Sequence, residues 1–204
     1  MAYDNRSRAA AARATRAAVL AAAHESFLTV GYSGTTIRGV AEAAGVSQET
    51  VYKRFSGKAG LLKDVYDVAM AGDDDPVPIA ERPQFRAVRD ATTPAEVARA
   101  YAAYARLLTG RAGPLMQVVS SARGVDPDLD AFMRTVDGER LIGATMAVTA
   151  WSERGWLRCE PDRARDLVWT LISPAVWGLL TDRGWSLDDY EGWLRDSLAA
   201  MVLL

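Results

Sequence analysis

The sequence predicts an all-α chain: an N-terminal three-helix unit with a helix-turn-helix, joined by a linking helix to a larger helical C-terminal domain. Three observations carry this. Thr35 to Phe55 (TTIRGVAEAAGVSQETVYKRF) reads as two short helices around a glycine turn. From Thr93 onward, apolar residues recur at helical spacing between capping signals. No stretch alternates apolar and polar residues at the strand period.

Helix 1 is expected from about Ala11 to Val30, with Val19, Ala22, Ala23, Phe27 and Val30 inward and Gly31 ending it. Arg6, Arg8, Arg13 and Arg16, among alanines at its start, read as a flexible basic arm. In helix 2, Ile37, Val40, Ala41 and Ala44 fall at i, i+3, i+4 and i+7, which is one apolar stripe. Thr35 and Thr36 stand where a hydroxyl caps the first turn, and Gly45 stands where a left-handed residue ends it. Val46 plugs the turn, and Ser47 opens helix 3 as its N-cap. Val51 and Phe55 face inward there, leaving Gln48, Glu49, Thr50, Tyr52, Lys53 and Arg54 outward. Helix 4 begins near Gly57, turns Leu61, Leu62, Val65 and Ala69 inward, and stops by Gly72. Phe27, Ile37, Val40, Val51, Phe55 and Leu62 are expected to share one small core. Asp73-Asp74-Asp75-Pro76-Val77-Pro78 then breaks the helix as a solvated linker, dividing the chain into domains 1–72 and 73–204.

In the second domain, Thr93-Pro94-Ala95-Glu96 has the form of a capping box with proline at the first helical position. Val97, Tyr101, Tyr104 and Leu108 share one face of the helix that follows. Gly113-Pro114 is expected to start a separate helix carrying Leu115, Met116, Val118 and Val119. Asp126-Pro127 opens a long one to about Arg154, with Leu129, Phe132, Met133, Val136, Leu141, Ala144 and Val148 inward and Gly155 ending it. Glu160-Pro161 starts a helix to about Asp182, kinked at Pro174, and Ser186-Leu187-Asp188-Asp189 caps the last. These last two helices are apolar on more than one stripe, so they must bury two faces. Trp151, Trp156, Trp185 and Trp193 are expected to pack a core or an interface.

The N-terminal pattern also carries a family resemblance. Phe27 to Leu62 resembles the DNA-binding segment of the TetR/AcrR regulators through Gly31-Tyr32, Thr35-Thr36-Ile37-Arg38, Ala44-Gly45-Val46-Ser47, Val51-Tyr52, Phe55, and Lys58 with Leu61-Leu62. It departs from the family's usual residues at Glu49, Arg54 and Ala59. The resemblance implies that the second domain binds an effector and that the final two helices pair with their copies in a homodimer. On that reading Leu171, Val176, Leu179, Leu180, Leu194, Leu198 and Met201 belong to the dimer interface. Tyr101, Tyr104, Met116, Met133, Trp169 and Trp177 are the candidate lining of a pocket for a hydrophobic or planar molecule.

A helix-turn-helix presenting polar side chains from its second helix is a major-groove reader. Gln48 matches an adenine edge, Thr50 a thymine methyl, and Glu49 a cytosine amino group or the neighbouring Lys53 or Arg54. Thr36, Tyr52, Lys53, Arg54 and Lys58 suit phosphates, and Arg38 either; Arg6, Arg8 and Arg13 add minor-groove or backbone contacts from the arm. Charge distribution supports a polyanionic partner. Residues 1–60 hold eight Lys/Arg against four Asp/Glu, whereas the chain as a whole carries −2.

Other function classes fit poorly. With one histidine (His24) and one cysteine (Cys159), no His-based triad or multi-His/Cys metal cluster forms within a chain. Neither GxGxxG nor GxxxxGK[ST] occurs, so we expect no enzyme, cofactor or metal. A lone thiol suits a reducing, cytoplasmic setting, and Val168 to Leu180 is too short to span a bilayer. The alternatives are a protein-interaction module, which has no need of a basic N-terminal quarter, and a ligand-independent DNA binder.

Overall fold

The computed structural model describes residues 2–75, 77, 81–122, 124 and 126–204, and the side chains of all of these but 2–6 and 121. Pro76, Pro78 and the Arg6 side chain, named above for the linker and the arm, lie outside the described residues. Among the described residues there are ten α-helices: α1 (Ala2–Gly34), α2 (Ile37–Ala43), α3 (Gln48–Arg54), α4 (Gly57–Ala71), α5 (Pro83–Arg89), α6 (Pro94–Ser121), α7 (Pro127–Glu153), α8 (Pro161–Leu171), α9 (Pro174–Asp182) and α10 (Leu187–Met201). Two compact units result, one of residues 1–74 with 114–132 and the other of 75–113 with 133–204. No described helix is long and apolar enough to cross a membrane.

In the first unit the expected core forms. Phe27, Ile37, Val40, Val51, Phe55 and Leu62 are all buried, joined by Leu20, Leu61, Val65 and Tyr66. Two expectations for α1 need correction. The basic arm is helical, since α1 begins at Ala2. Val30 is 59% exposed, because the chain leaves the helix at Gly31 (φ 71, ψ 177) and buried Tyr32 supplies the inward side chain instead. Tyr32 stacks on Phe27, with ring centroids 5.9 Å apart.

The second unit departs further from expectation. Pro114 does not start a helix but lies inside α6. A proline there forfeits one backbone hydrogen bond, yet Ala112, Leu115, Met116 and Val119 are buried on both sides of it and hold the helix together. Conversely, Pro174 does more than kink its helix. The chain leaves the helical region at Ser173 (ψ 135), as a residue before proline prefers, and Ser173 then caps α9 through Ala175 N. The short helix α5, opened by Pro83 and burying Val88, had no clear sequence signal. In α7, Leu141 is 41% exposed rather than inward. Spacings of four run from Val136 to Ala144 through position 140, so Arg140 takes the inward place, its side chain 9% exposed.

The core of this unit gathers Val97, Tyr101, Ala144, Val148, Trp151, Val168, Trp177, Tyr190, Leu194 and Leu198. Helix α10 starts with the complete reciprocal cap: Asp189 N donates to the Ser186 hydroxyl (3.1 Å), and Ser186 N to the Asp189 carboxylate (2.9 Å). Its far end is fastened by a short antiparallel bridge, in which Arg158 N donates to Val202 O (2.8 Å) and Leu204 N to Trp156 O (2.9 Å).

Two variants test this core. Leu198→Ala should cost about 2–5 kcal/mol, the usual loss for a fully buried leucine. Ser186→Ala should cost about 1 kcal/mol through the lost cap. Denaturant midpoints measure both, and a Leu198→Ala loss no larger than that of Ser186→Ala would place Leu198 outside the core.

Candidate nucleic-acid interface

The site is built on two seven-residue helices, each held by defined ends. At α2 the Thr36 hydroxyl accepts from Gly39 N (3.0 Å). Beyond α2, Gly45 (φ 68) lets its own N–H reach Glu42 O (3.2 Å) and Val46 N reach Ala41 O (3.0 Å). A side chain at Gly45 would strain that left-handed turn. Ser47 then caps α3, accepting from Thr50 N at 3.2 Å. Sequence signals therefore fix where α3 begins, and buried Val51 and Phe55 fix which face it shows.

The outward residues fall where the periodicity put them. Gln48, Glu49, Lys53 and Arg54 are exposed, Tyr52 is 60% exposed, and Thr50 is half-buried with its hydroxyl 2.9 Å from that of Ser47. Glu49 occupies the first turn of α3, and Lys53 and Arg54 the last. Each sign complements the helix dipole, and the positive charge gathers at one end. Arg38 is exposed and pairs with Glu42 at 2.8 Å. Such a solvated pair contributes little to stability.

Two of the expected phosphate ligands have additional duties. Arg54 Nη1 donates to Ala12 O (3.1 Å), fastening the end of α3 to α1. Lys58 Nζ donates to Tyr32 O (3.0 Å) and lies 4.2 Å from the Tyr32 ring centroid. It therefore closes the end of α1 with hydrogen-bond and cation–π contacts. The Tyr32 hydroxyl in turn donates to Asp128 (3.4 Å), and burial together with the Asp126 and Asp128 charges raises its pKa well above the ordinary tyrosine value.

Arg16 was visible in the sequence only as part of the basic arm, but the structure gives it a clamping role. It spans Asp64 (3.2 Å) and Asp74 (2.9 Å) and lies 5.4 Å from the Phe55 ring centroid. Its carboxylate partners are 48 and 58 residues away, a separation that no local periodicity reveals. The same contact engages Asp74 of the expected linker. Exposed Arg8 and Arg13 carry the remaining described charge of the arm region. His24 is half-buried, and its Nε2 has no hydrogen-bond partner among the described residues.

The candidate pocket residues separate. Tyr101, Tyr104, Trp169 and Trp177 come together in the core of the second unit. Met133 is buried outside that cluster, and Met116 is buried in the first unit. The candidate interface residues separate too. Leu171, Leu194 and Leu198 are buried within their own chain, at 7%, 0% and 0% exposure. Val176 and Leu180 are half-buried, while Leu179 and Met201 are 68% and 39% exposed. Sequence reasoning missed the exposed apolar residues Ile142 and Met146 of α7. They lie off the inward stripe, but their type alone gives no sign of exposure.

Residues 19–65 match the model of the tetR family of bacterial regulatory proteins. The chain is 33% identical over 121 residues to the uncharacterized HTH-type transcriptional regulator YdeS of Bacillus subtilis, a match covering 59% of this chain and 56% of YdeS. The chain thus spans little more than half the length of that relative. Among solved structures it is similar to the regulator FadR of Bacillus subtilis in complex with stearoyl-CoA, with a TM-score of 0.68 at 18% identity over 90% of this chain and 97% of FadR. It is also similar to SmeT in a triclosan complex, with a TM-score of 0.68 at 19% identity over 94% of this chain and 92% of SmeT. At these identities the likeness is one of fold. The helix-turn-helix geometry and the match over residues 19–65 agree: that segment is similar to the tetR family of bacterial regulatory proteins.

Proposed function

We propose that the chain is a cytoplasmic transcriptional regulator that binds operator DNA as a homodimer. In this reading it acts as a repressor, released when a small hydrophobic or planar molecule occupies the second unit. One observation carries the DNA reading: the exposed face of α3 holds Gln48, Glu49, Tyr52, Lys53 and Arg54, backed by a buried apolar face. Gln48, Thr50 and Glu49 read base edges in the major groove. Thr36, Tyr52, Lys53 and Arg54 take phosphates, with Lys58 completing the set through its remaining N–H groups, and Arg38 serves either role. Arg8 and Arg13 add backbone contacts from α1.

The functional division falls after Gly72, whose φ of 92 closes α4. Helix α4 is the mechanical connection, since Lys58 at its start holds Tyr32 and Tyr32 holds Asp128 in the first turn of α7. FadR is found in complex with stearoyl-CoA and SmeT with triclosan, which supports an apolar effector here. Release requires that the effector prefer the arrangement that does not bind DNA; a 100-fold preference corresponds to about 2.7 kcal/mol.

Titration against the duplex upstream of the chain's own gene and against random duplex, at two salt concentrations, tests the DNA reading. Binding should be tight on the first and fall steeply with salt on both. Gln48→Ala should weaken cognate binding selectively by about 1–3 kcal/mol. Lys53→Ala should weaken all sequences alike and lower the salt slope by about 1. Equal losses on cognate and random duplex for both variants would refute that division of roles.

The homodimer is expected to use exposed Leu179 and Met201. Leu179→Glu should therefore give a folded monomer by light scattering, whereas Leu198→Glu should fail to fold. A Leu179→Glu chain that stays dimeric would remove this face from the interface.

A further inference from the structure

Over residues 133–153, in the second unit, helix α7 shows two faces of opposite kinds. Val136, Ala144, Val148 and Trp151 are at most 3% exposed, and the Arg140 side chain, at 9%, continues their stripe. On the other side, Thr135, Gly138, Ile142, Thr145, Thr149 and Ser152 recur at spacings of three and four, and all are exposed. None of these is charged. A helix that only meets water puts charged side chains there, as α8 does with Asp162 and Asp166 and α10 with Asp188 and Arg195. On α7, Ile142 is instead 63% exposed, with Met146 at 60% and Leu141 at 41% beside it. An exposed apolar cluster confined to one stretch of helix marks an interaction surface.

The pattern of that stripe selects its occupant. Two copies related by a two-fold axis present the same patch to each other, so the patch must be its own complement. When two α7 helices run antiparallel and cross at Ile142, each residue faces the one equally far on the other side of position 142. Ile142 then meets Ile142, and Met146 of one copy meets Gly138 of the other. Gly138 leaves room for it, since nothing lies within 4 Å of where a Cβ would stand. Charge fixes the direction. Exposed Arg134 and Glu153 close the stripe at its two ends. Antiparallel pairing sets Arg134 opposite Ala150, within one turn of the other copy's Glu153, whereas parallel pairing sets like charge against like.

We propose that the outward face of α7 pairs with the same face of a second copy, antiparallel and centred on Ile142. On the homodimer reading above, with dimers formed at Leu179 and Met201, this contact joins one dimer to another. The stripe is about 25 Å long and a helix about 10 Å wide. Its footprint of about 250 Å² per copy falls well below the roughly 800 Å² per partner of a stable complex. The contact is therefore weak by itself. It gathers dimers at high concentration, or where two of them are held on neighbouring DNA sites.

Cysteine cross-linking of the full chain tests the register, with Cys159→Ser removing the native thiol and glutathione disulfide as the oxidant. Ile142→Cys should join to its own copy about tenfold faster than Gly138→Cys or Met146→Cys alone, whose like positions stand about 12 Å apart along the helices, beyond disulfide reach. A mixture of the Gly138→Cys and Met146→Cys chains should cross-link where neither does alone. In sedimentation, the wild type should gain a four-chain species as concentration rises, and Ile142→Glu should stay two-chain with its thermal midpoint unchanged. Joining of Ile142→Cys no faster than Gly138→Cys, no gain in the mixture, or identical sedimentation of wild type and Ile142→Glu overturns the pairing and leaves the face to a different protein. Adding Leu179→Glu separates this contact from the homodimer reading. The Ile142→Cys cross-link should still form in that chain, now giving a two-chain product instead of a four-chain one. A Leu179→Glu chain that is two-chain without any cross-link removes the Leu179 face, while the cysteine pairs alone decide α7.

Discussion

A seven-residue helix does not persist in water, because nucleating it fixes more backbone freedom than its few hydrogen bonds repay. Helix α3 exists here because Val51 is fully buried and Phe55 nearly so, and its exposed polar surface depends on that burial. Once those two side chains are fixed, the directions of Gln48, Tyr52 and Lys53 follow from helical geometry alone. The remaining contacts of the N-terminal unit defend this arrangement. The glycine turn at Gly45 sets the approach of α2 to α3, Arg54 fastens the end of α3 to α1, and the Arg16 guanidinium covers the Phe55 ring. A small change beneath α3 would thus re-aim every side chain above it.

The second unit answers a different physical demand. Its helices carry more aromatic surface than a narrow apolar seam needs, and aromatic residues bring polar tips that must be placed. Trp169 places its N–H on the Asp137 carbonyl oxygen (3.2 Å), and the Tyr190 hydroxyl reaches the Leu171 carbonyl oxygen (3.5 Å). Edge-on ring pairs, Tyr101 with Trp151 and Trp177 with Tyr190, fill the space between those anchored tips.

How much of this was legible in the sequence differs by region. Positions 35–55 were readable residue by residue, because caps, a left-handed glycine and a helical stripe act over a few residues and leave local signals. The outward face of α3 followed directly. Prolines were less informative: Pro161 opens a helix, Pro114 is overridden by burial on both sides, and Pro174 separates two helices, although each reads alike in sequence. The inward place of Arg140 was hidden because an arginine at core spacing looks like a register error until Asp137 and Trp169 are seen beside it. Arg16 was hidden for the opposite reason, since its partners lie far along the chain. The expected interface leucines were chosen by residue type, and type does not distinguish a core from a face presented to a second copy.

Helices α6 and α7 give the N-terminal unit an unusual genetic property. That unit is assembled from two separate lengths of chain, 1–74 and 114–132, and the second length supplies buried Leu115, Met116, Val119, Leu129 and Phe132, with Phe132 edge-on to Tyr66 at 5.5 Å. The N-terminal unit is therefore not a cassette. A recombination event that joined residues 1–74 to a foreign partner would leave behind part of its hydrophobic packing. The new sequence would have to rebuild that packing. Point substitution on the exposed face of α3, where nothing beneath is disturbed, changes that surface more easily than exchange of the whole N-terminal segment.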